Sequence, residues 1–500
     1  MGLSASLSGF SNEDPLFRYF INGTGTPVPK PGDYRSEEAL ISYLARVNYD
    51  YDGKYLLSFT GRRDGTSLVA SKNRFQNFGS VSGGWVVSRE DFMQPLTWLS
   101  NLKVRASYGV LGNLSSVTTT AVSPNLSVGN IYLGSDPAQL NGYYSYDRAN
   151  PDLTWARSKQ TDVGLDLGFL NERITLTADY FVKKTEDMLM NIPAGIGLGS
   201  VWVNGGEVRD NGIELSLGYN SDPKKAFRYG GNANFSKINN KLLSLPNNNT
   251  TIPGISPSVR GLLAPIRADV GHPLYSFYSI KTDGLFQNQA EIDNYKGANG
   301  ALVQPNAKPG DIRFVDANGD GKIDDNDRQF LGSAYPDFTY GLSLNASYKG
   351  FDLNIFLQGV QGNKLYNALK YTSLNAGGLG QNYNLLKDVL NAWTPQHTNT
   401  SIPRVTASDN NGNFGTNSDF YIENGSYLRF KNVTLGYTFS PVLLTRAGIS
   451  SLRIYATSNN LFTITKYKGF DPEVGFDNYG IDVGRYPQSR SFIFGINLNL

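Results

Sequence analysis

The segment Arg173–Lys183, RITLTADYFVK, alternates: Ile174, Leu176, Ala178, Tyr180 and Val182 fall on one face of an extended chain, Thr175, Thr177 and Asp179 on the other. Successive side chains of a strand point to opposite faces, so this stretch predicts a strand that is apolar on one side only. The same period recurs at Val163, Leu165, Leu167 and Phe169, at Phe351, Leu353, Ile355 and Leu357, and at Phe492, Phe494, Ile496, Leu498 and Leu500. These read as repeated units of one sheet, and the fold class is all-β.

The composition agrees. Among 500 residues there are 54 Gly, 30 Tyr and 27 Phe but only 4 Met, a mixture that suits turns and aromatic girdles better than helices. All-β barrels run long as single domains, so the whole chain, 1–500, is taken as one unit. No stretch approaches the roughly 18 uninterrupted apolar residues that a membrane helix needs. A β-sandwich and a transmembrane barrel both remain, because a barrel strand alternates apolar-out with polar-in. With 45 Lys plus Arg against 43 Asp plus Glu, the chain has no broad basic field, and nucleic acid is not an expected partner. The absence of Cys removes disulfide scaffolds and thiolate metal sites.

The connections between alternating runs decide further. Short links fall at Asp52-Gly53, Leu170-Asn171-Glu172 and Lys349-Gly350, with medium ones near 89–100, 221–226 and 440–450. Long links cover about 11–40, 64–73, 112–158, 185–209, 238–336, 362–426 and 463–489. Membrane barrels of the outer-membrane type have short periplasmic turns and long extracellular loops, whereas a sandwich has no reason for such regular alternation. Followed from residue 3, this parity predicts about 14 antiparallel strands, with one long extracellular excursion over 238–336. The start, MGLSASLSGF (Met1 to Phe10), has neither a charged n-region nor an apolar h-region, and the chain is expected to begin inside a longer protein.

Distinctive segments occur along the chain: GRRDGTS (Gly61 to Ser67), FGSVSGGW (Phe78 to Trp85), LKVRASYGVLGN (Leu102 to Asn113), NPDLTW (Asn150 to Trp155) and DNGIEL (Asp210 to Leu215). GDIRFVDANGDGKIDDNDR (Gly310 to Arg328), SYLRFKNVTLGYTF (Ser426 to Phe439), NNLFTITKYKGFDPEVG (Asn459 to Gly475) and YPQSRSFIFGINLNL (Tyr486 to Leu500) follow. In this order the segments resemble the SusC/RagA-like family of TonB-dependent transporters. The resemblance implies a barrel of about 22 strands preceded by a plug domain and a TonB-box segment. It further implies a Gram-negative outer-membrane location and import of oligosaccharides or peptides. The implied partners are a SusD-like surface lipoprotein, the TonB–ExbB–ExbD system and outer-membrane lipid. About 8 strands, the plug and the TonB box are expected outside this chain if 22 is the family count. Two departures are visible: Ala156 stands where the family usually has Glu, and Leu500 where it usually ends in Phe.

The sharpest local motif is DANGDGKIDDND, Asp316 to Asp327. Side-chain oxygens at Asp316, Asn318, Asp320, Asp324 and Asp327, the Lys322 carbonyl at position 7 and Gly321 at position 6 match the spacing of a calcium loop. A hard divalent ion needs several oxygens at fixed separations, and the glycine permits the bend that brings both halves round it. The flanking residues do not read as helices, so the expectation is an EF-hand-like loop that clamps the excursion with structural Ca2+. The competing reading is a solvated acidic turn closed by Asx hydrogen bonds.

Catalytic signatures are lacking, and no enzyme is expected. His272 and His397 have no metal-type spacing, and neither a GxSxG elbow nor a GxGxxG fingerprint occurs. Trp85, Trp155, Trp202 and Trp393 have the flat faces that stack on sugars, but barrels also place Trp and Tyr in interfacial girdles. Trp202, in the loop NIPAGIGLGSVWVNGG, is the candidate substrate contact. Thr175, Thr177 and Asp179, with Asp352, Asn354 and Gln358, are expected to line a wet lumen. Two other functions compete with import of nutrients: a surface-binding or adhesion barrel that moves nothing, and a siderophore receptor.

Overall fold

The computed structural model describes residues 37–499 except 115–116, 118–120, 123–126, 133–138, 145–147, 194–198, 247–248, 254–263, 377–383, 441–443, 445–447 and 474–478. The strand expected from residue 3 and the terminal Leu500 lie outside the described residues.

Among the described residues one antiparallel sheet of fourteen strands forms: thirteen follow one another in space in chain order without a crossover, and the short strand Thr463–Thr465 pairs beside them with Tyr427–Thr438. The thirteen begin with β1 (Leu40–Tyr51), β2 (Tyr55–Thr66), β3 (Phe75–Val86), β4 (Leu99–Asn113), β5 (Ala156–Phe169), β6 (Ile174–Glu186) and β7 (Glu207–Asn220). Then come β8 (Phe227–Ser244), β9 (Phe338–Tyr348), β10 (Phe351–Gln361), β11 (Tyr427–Thr438), β12 (Ser451–Asn459) and β13 (Ser491–Asn499). The register slips between Phe356 and Leu357, where β10 meets β11. Among the described residues β1 pairs only with β2 and β13 only with β12.

The tight turns join successive strands at one rim. Asp52 (φ 54°) with Gly53 (φ 60°), and Lys349 (φ 48°) with Gly350 (φ 91°), take the left-handed conformation of a hairpin turn whose twist matches its strands. Leu170, Asn171 and Glu172 are all left-handed, a conformation that side chains disfavour. Neighbouring backbone holds it: Leu170 N–H donates to the Trp98 carbonyl at 3.0 Å, and Asn171 N–H to Ser100 Oγ at 2.7 Å.

The two faces differ as the alternation requires. On β6 the apolar set Ile174 to Val182 pairs with Leu215 and Leu217 of β7 and with Val163 and Leu165 of β5. This face is open rather than packed: Val47 is 64% exposed, Leu217 50%, Leu435 53% and Phe494 82%. A sandwich would bury it against a second sheet, whereas apolar surface running unbroken over thirteen strands needs an apolar solvent. At the short-turn rim the aromatic rings meet in pairs, Tyr55 stacked on Trp85 (6.5 Å), Trp98 on Phe169 (5.9 Å), Phe227 against Tyr348 (6.2 Å) and Phe351 against Tyr437 (4.7 Å). Such a girdle marks a membrane–water boundary, where an amphipathic ring has one apolar side and one wet side. Glu90 accepts from both Tyr55 Oη (2.7 Å) and Trp85 Nε1 (3.0 Å), fixing two girdle residues from the water side.

The buried cores lie at the other rim, in the long connections. Phe277, Tyr366, Tyr421 and Ile481 form one, Ile280, Leu285, Ile312, Phe314 and Trp393 a second. The excursion between β8 and β9 thus contains real structure, including the strands Ser276–Ile280 and Thr282–Leu285.

Candidate functional site

The polar face of the sheet carries Thr175, Thr177, Asp179, Asp352 and Asn354 in register, as their parity predicts. Two arginines on this face are paired across intervening strands. Arg105 of β4 donates to Asp179 Oδ2 on β6 at 2.7 Å and to Asp166 Oδ2 on β5 at 3.2 Å, and it lies 3.5 Å from Asp162. The guanidinium reaches two strands over because Gly164 stands between Arg105 and Asp179; a Cβ there would occupy the space it uses. Arg453 of β12 reaches Asp352 of β10 at 2.6 Å in the same way, over Gly436 of β11. Bidentate pairs of this kind keep a water-exposed wall rigid while leaving it hydrophilic.

At the long-loop rim, apolar residues of separate loops pack inward. Leu68, Val69, Phe78, Leu114, Val117, Leu153 and Trp155 form a buried cluster, and the half-buried Trp202 packs against it. The neighbouring backbone of Trp202 is fixed too: its carbonyl accepts from Asn150 Nδ2 at 2.8 Å, and Asn204 exchanges two hydrogen bonds of 2.8 Å with Thr154. Trp155 meets Phe78 edge-on, and Trp393 is buried with its Nε1 on Gln287 Oε1 at 2.9 Å. Trp85 belongs to the girdle.

A second rim feature escaped sequence reasoning. The connection between β12 and β13 is strapped to β11 by an ionic cluster. Arg429, 3% exposed, donates to Asp471 and to Glu473, each at 2.5 Å, and Lys431 donates to Glu473 at 2.8 Å. Burial pushes the Asp471 carboxyl up, but Arg429 and the Gln488 and Glu473 amides outweigh it and hold it below the usual carboxylate range. No spacing rule links residues 429 and 471; only the fold brings them together.

The acidic turn bends as its sequence demands, with Gly319 (φ 76°) and Gly321 (φ 88°) left-handed. Its oxygens are already engaged. Asp316 accepts from the Gly319 (2.7 Å) and Gly321 (2.8 Å) amides, Asn318 from Asp320 (2.9 Å), and Asp320 from Lys322 (3.2 Å). Asp327, fully buried, accepts from the Ala317 and Asp324 amides, both at 2.8 Å. The Lys322 ammonium sits 2.6 Å from Asp324 and 3.7 Å from Asp320, a contact that raises its own pKa and lowers that of Asp324. Among the described residues no group of three or more His, Asp or Glu converges to hold a metal. In this arrangement the turn is closed by its own amides and by Lys322.

Comparison with known proteins places these faces. A family model described as "TonB dependent receptor-like, beta-barrel" matches residues 4–265. The chain belongs to the TonB-dependent receptor β-barrel family. TonB-dependent receptor P3 of Formosa agariphila is 32% identical over 99% of this chain and 49% of the relative. TonB-dependent receptor SusC of Bacteroides thetaiotaomicron is 32% identical over 93% of this chain and 44% of the relative. Among solved structures, that of the RagAB peptide transporter matches with a TM-score of 0.77 and 28% identity, covering 95% of this chain and 49% of that one. The chain therefore spans about half the length of the relatives it matches. The SusC/RagA-type resemblance read from the motifs is borne out, and so is the fold: in a TonB-dependent receptor barrel the alternating strands turn their apolar face to lipid and their polar face to the lumen.

Proposed function

We propose that this TonB-dependent receptor chain forms lumen wall and outer rim of a Gram-negative outer-membrane importer of nutrients, oligosaccharides or peptides. In this reading TonB–ExbB–ExbD energises it, and a SusD-like lipoprotein sits over its long-loop rim. The observation that carries the reading is the two-faced sheet: open apolar surface on one side, ion-paired polar wall on the other. The likeness to the RagAB peptide transporter supports peptides as a cargo class, and the likeness to SusC and to RagAB together supports the partner. Trp202 is held at the rim against the loop cluster yet stays only half-buried, and that remaining exposure supports it as an edge of the cargo path. For the acidic turn we propose calcium as a structural ligand that competes with Lys322, supported by the loop spacing and the left-handed Gly321.

The test is uptake of candidate oligosaccharides and peptides by cells producing the receptor from its own locus, with and without TonB. Accumulation that vanishes without TonB is expected. Accumulation unaffected by loss of TonB, or surface binding without entry, would reject import.

A further inference from the structure

Across the polar face, one register row carries a run of hydrogen-bonding side chains with a cation at each end. Arg46 of β1 stands opposite Thr60 of β2, Thr60 opposite Ser80 of β3, Ser80 opposite Gly109 of β4, Gly109 opposite Gln160 of β5, and Gln160 opposite Lys183 of β6. All six residues line a single cavity of about 500 Å³. Five interstrand steps of about 4.8 Å make the row roughly 24 Å long along the wall, the reach of a short oligomer rather than of a single small ion.

The charges in this row are unspent. Arg46 gives its Nε to Thr60 Oγ1 at 3.0 Å, and among the described residues no carboxylate lies within ion-pair distance of Arg46 or Lys183. A third cation, Arg62, lines the same cavity beside them, paired with Asp64 at 3.2 Å. The carboxylate opposite Lys183, Asp210 of β7, is turned to Asn240 Nδ2 at 2.6 Å. Arg105 and Arg453 on this wall are, by contrast, neutralised, the first by three aspartates and the second by Asp352. Leu44, opposite Arg62, and Leu111 are 64% and 60% exposed on the same face, apolar ground that a polymer backbone would cover.

We infer that this row is a cargo subsite for a carboxylate-bearing oligomer, whose acid groups pair with Arg46 and Lys183 while its hydroxyls or amides meet Thr60, Ser80 and Gln160. Arg and Lys pair with carboxylates through charge-assisted hydrogen bonds, which are about twice as strong as neutral ones. The inference rests on the import reading, since it names the class of cargo that the wall receives. Gly109 in the middle of the row leaves a gap in the side chains, so the oligomer's middle unit would lie against backbone.

The test is calorimetric binding to the receptor made from its own locus and purified in detergent. The probes are tetragalacturonate, tetraglutamate and neutral maltotetraose. At least one acidic probe is expected to bind, with maltotetraose about tenfold weaker or worse, and affinity is expected to fall as salt rises. Arg46→Ala and Lys183→Ala should each weaken acidic binding about tenfold, with Arg46→Lys and Lys183→Arg retaining most of it. Binding of the uronide alone identifies an acidic glycan, binding of the peptide alone an acidic peptide, and binding of both means that the carboxylate is what is read. Failure of both acidic probes, equal binding of maltotetraose, or wild-type affinity in the alanine variants overturns the subsite. So does a loss of thermal stability in those variants with binding unchanged, because the cations would then serve the protein's own packing. Uptake is scored separately: TonB-dependent import of neutral cargo without acidic binding refutes the subsite alone, and acidic binding without TonB-dependent uptake refutes import alone.

Discussion

The Arg429 guanidinium and the Asp471 carboxylate meet at 2.5 Å although they are 42 residues apart and Arg429 is almost completely buried. Removing one partner of a buried pair leaves the other charged and unpaired, which costs about 3–5 kcal/mol. Arg429→Met is therefore expected to detach the connection between β12 and β13 from β11 while the sheet stays intact. Hydrogen exchange checks it: the Glu473 and Gln488 amides, both held by Asp471, should lose protection, and strand amides should not.

The same pair gives a pH dependence of known sign. Asp471 has a folded pKa held below the usual range, so its contribution is fully present above the unfolded value, about pH 4, and disappears as pH falls through the lower folded value. Protection of the Gln488 amide is expected to be flat at neutral pH and to drop in acid below about pH 4. In Asp471→Asn that acid step should be missing.

At the acidic turn, the Lys322 ammonium stands where a divalent cation would have to enter between Asp320 and Asp324. Lys322→Ala is expected to raise calcium affinity about tenfold, equivalent to ~1.4 kcal/mol, as measured by calorimetry on the purified receptor. Equal affinity in the two proteins would count against Lys322 as a competitor. No binding in either would leave the turn as one closed by its own amides.

Adjacent positions on one strand separate the two faces. Leu215 lies midway along β7 on the apolar face, opposite Ala178 and Phe235, and Ser216 points to the polar face. Leu215→Arg is expected to destabilise the folded barrel by about 2–4 kcal/mol, because the cation would face hydrocarbon. Ser216→Arg should be tolerated. Urea unfolding of both variants in bilayers reads the difference, and equal destabilisation would argue against a lipid-facing surface.

Much of the wall was legible in sequence because a strand's period of two is a local property. Ile174 to Val182 named one face and Asp179 the other without knowledge of any neighbour. The short turns were legible for the same reason, with Asp52-Gly53 and Lys349-Gly350 carrying residues suited to the left-handed conformation. What was illegible depends on distant partners. Nothing in LKVRASYG tells that Arg105 will reach Asp179 over Gly164, although alternation alone would have placed it on the polar face. Trp155, Trp202 and Trp393 look alike as candidates for stacking. Which of them enters a loop core is decided by contacts across the rim, such as Trp393 with Ile280 and Phe314. The spacing in DANGDGKIDDND predicts a bend correctly, but spacing is silent on whether amides, an ammonium or a metal will satisfy the oxygens.

Neighbouring strands that follow one another in the chain also dictate an order of assembly. The pairs β1–β2, β5–β6 and β9–β10 each close over a tight turn, and local contacts of this kind form early. Between β8 and β9 the chain must first travel through the whole excursion from 245 to 337 before Phe235 can find Tyr340. Loop-closure entropy makes that seam the slowest to knit, so hairpins on either side stand ready before the sheet is continuous. A chaperone that guards unpaired strand edges would be needed longest along β8, the edge that waits.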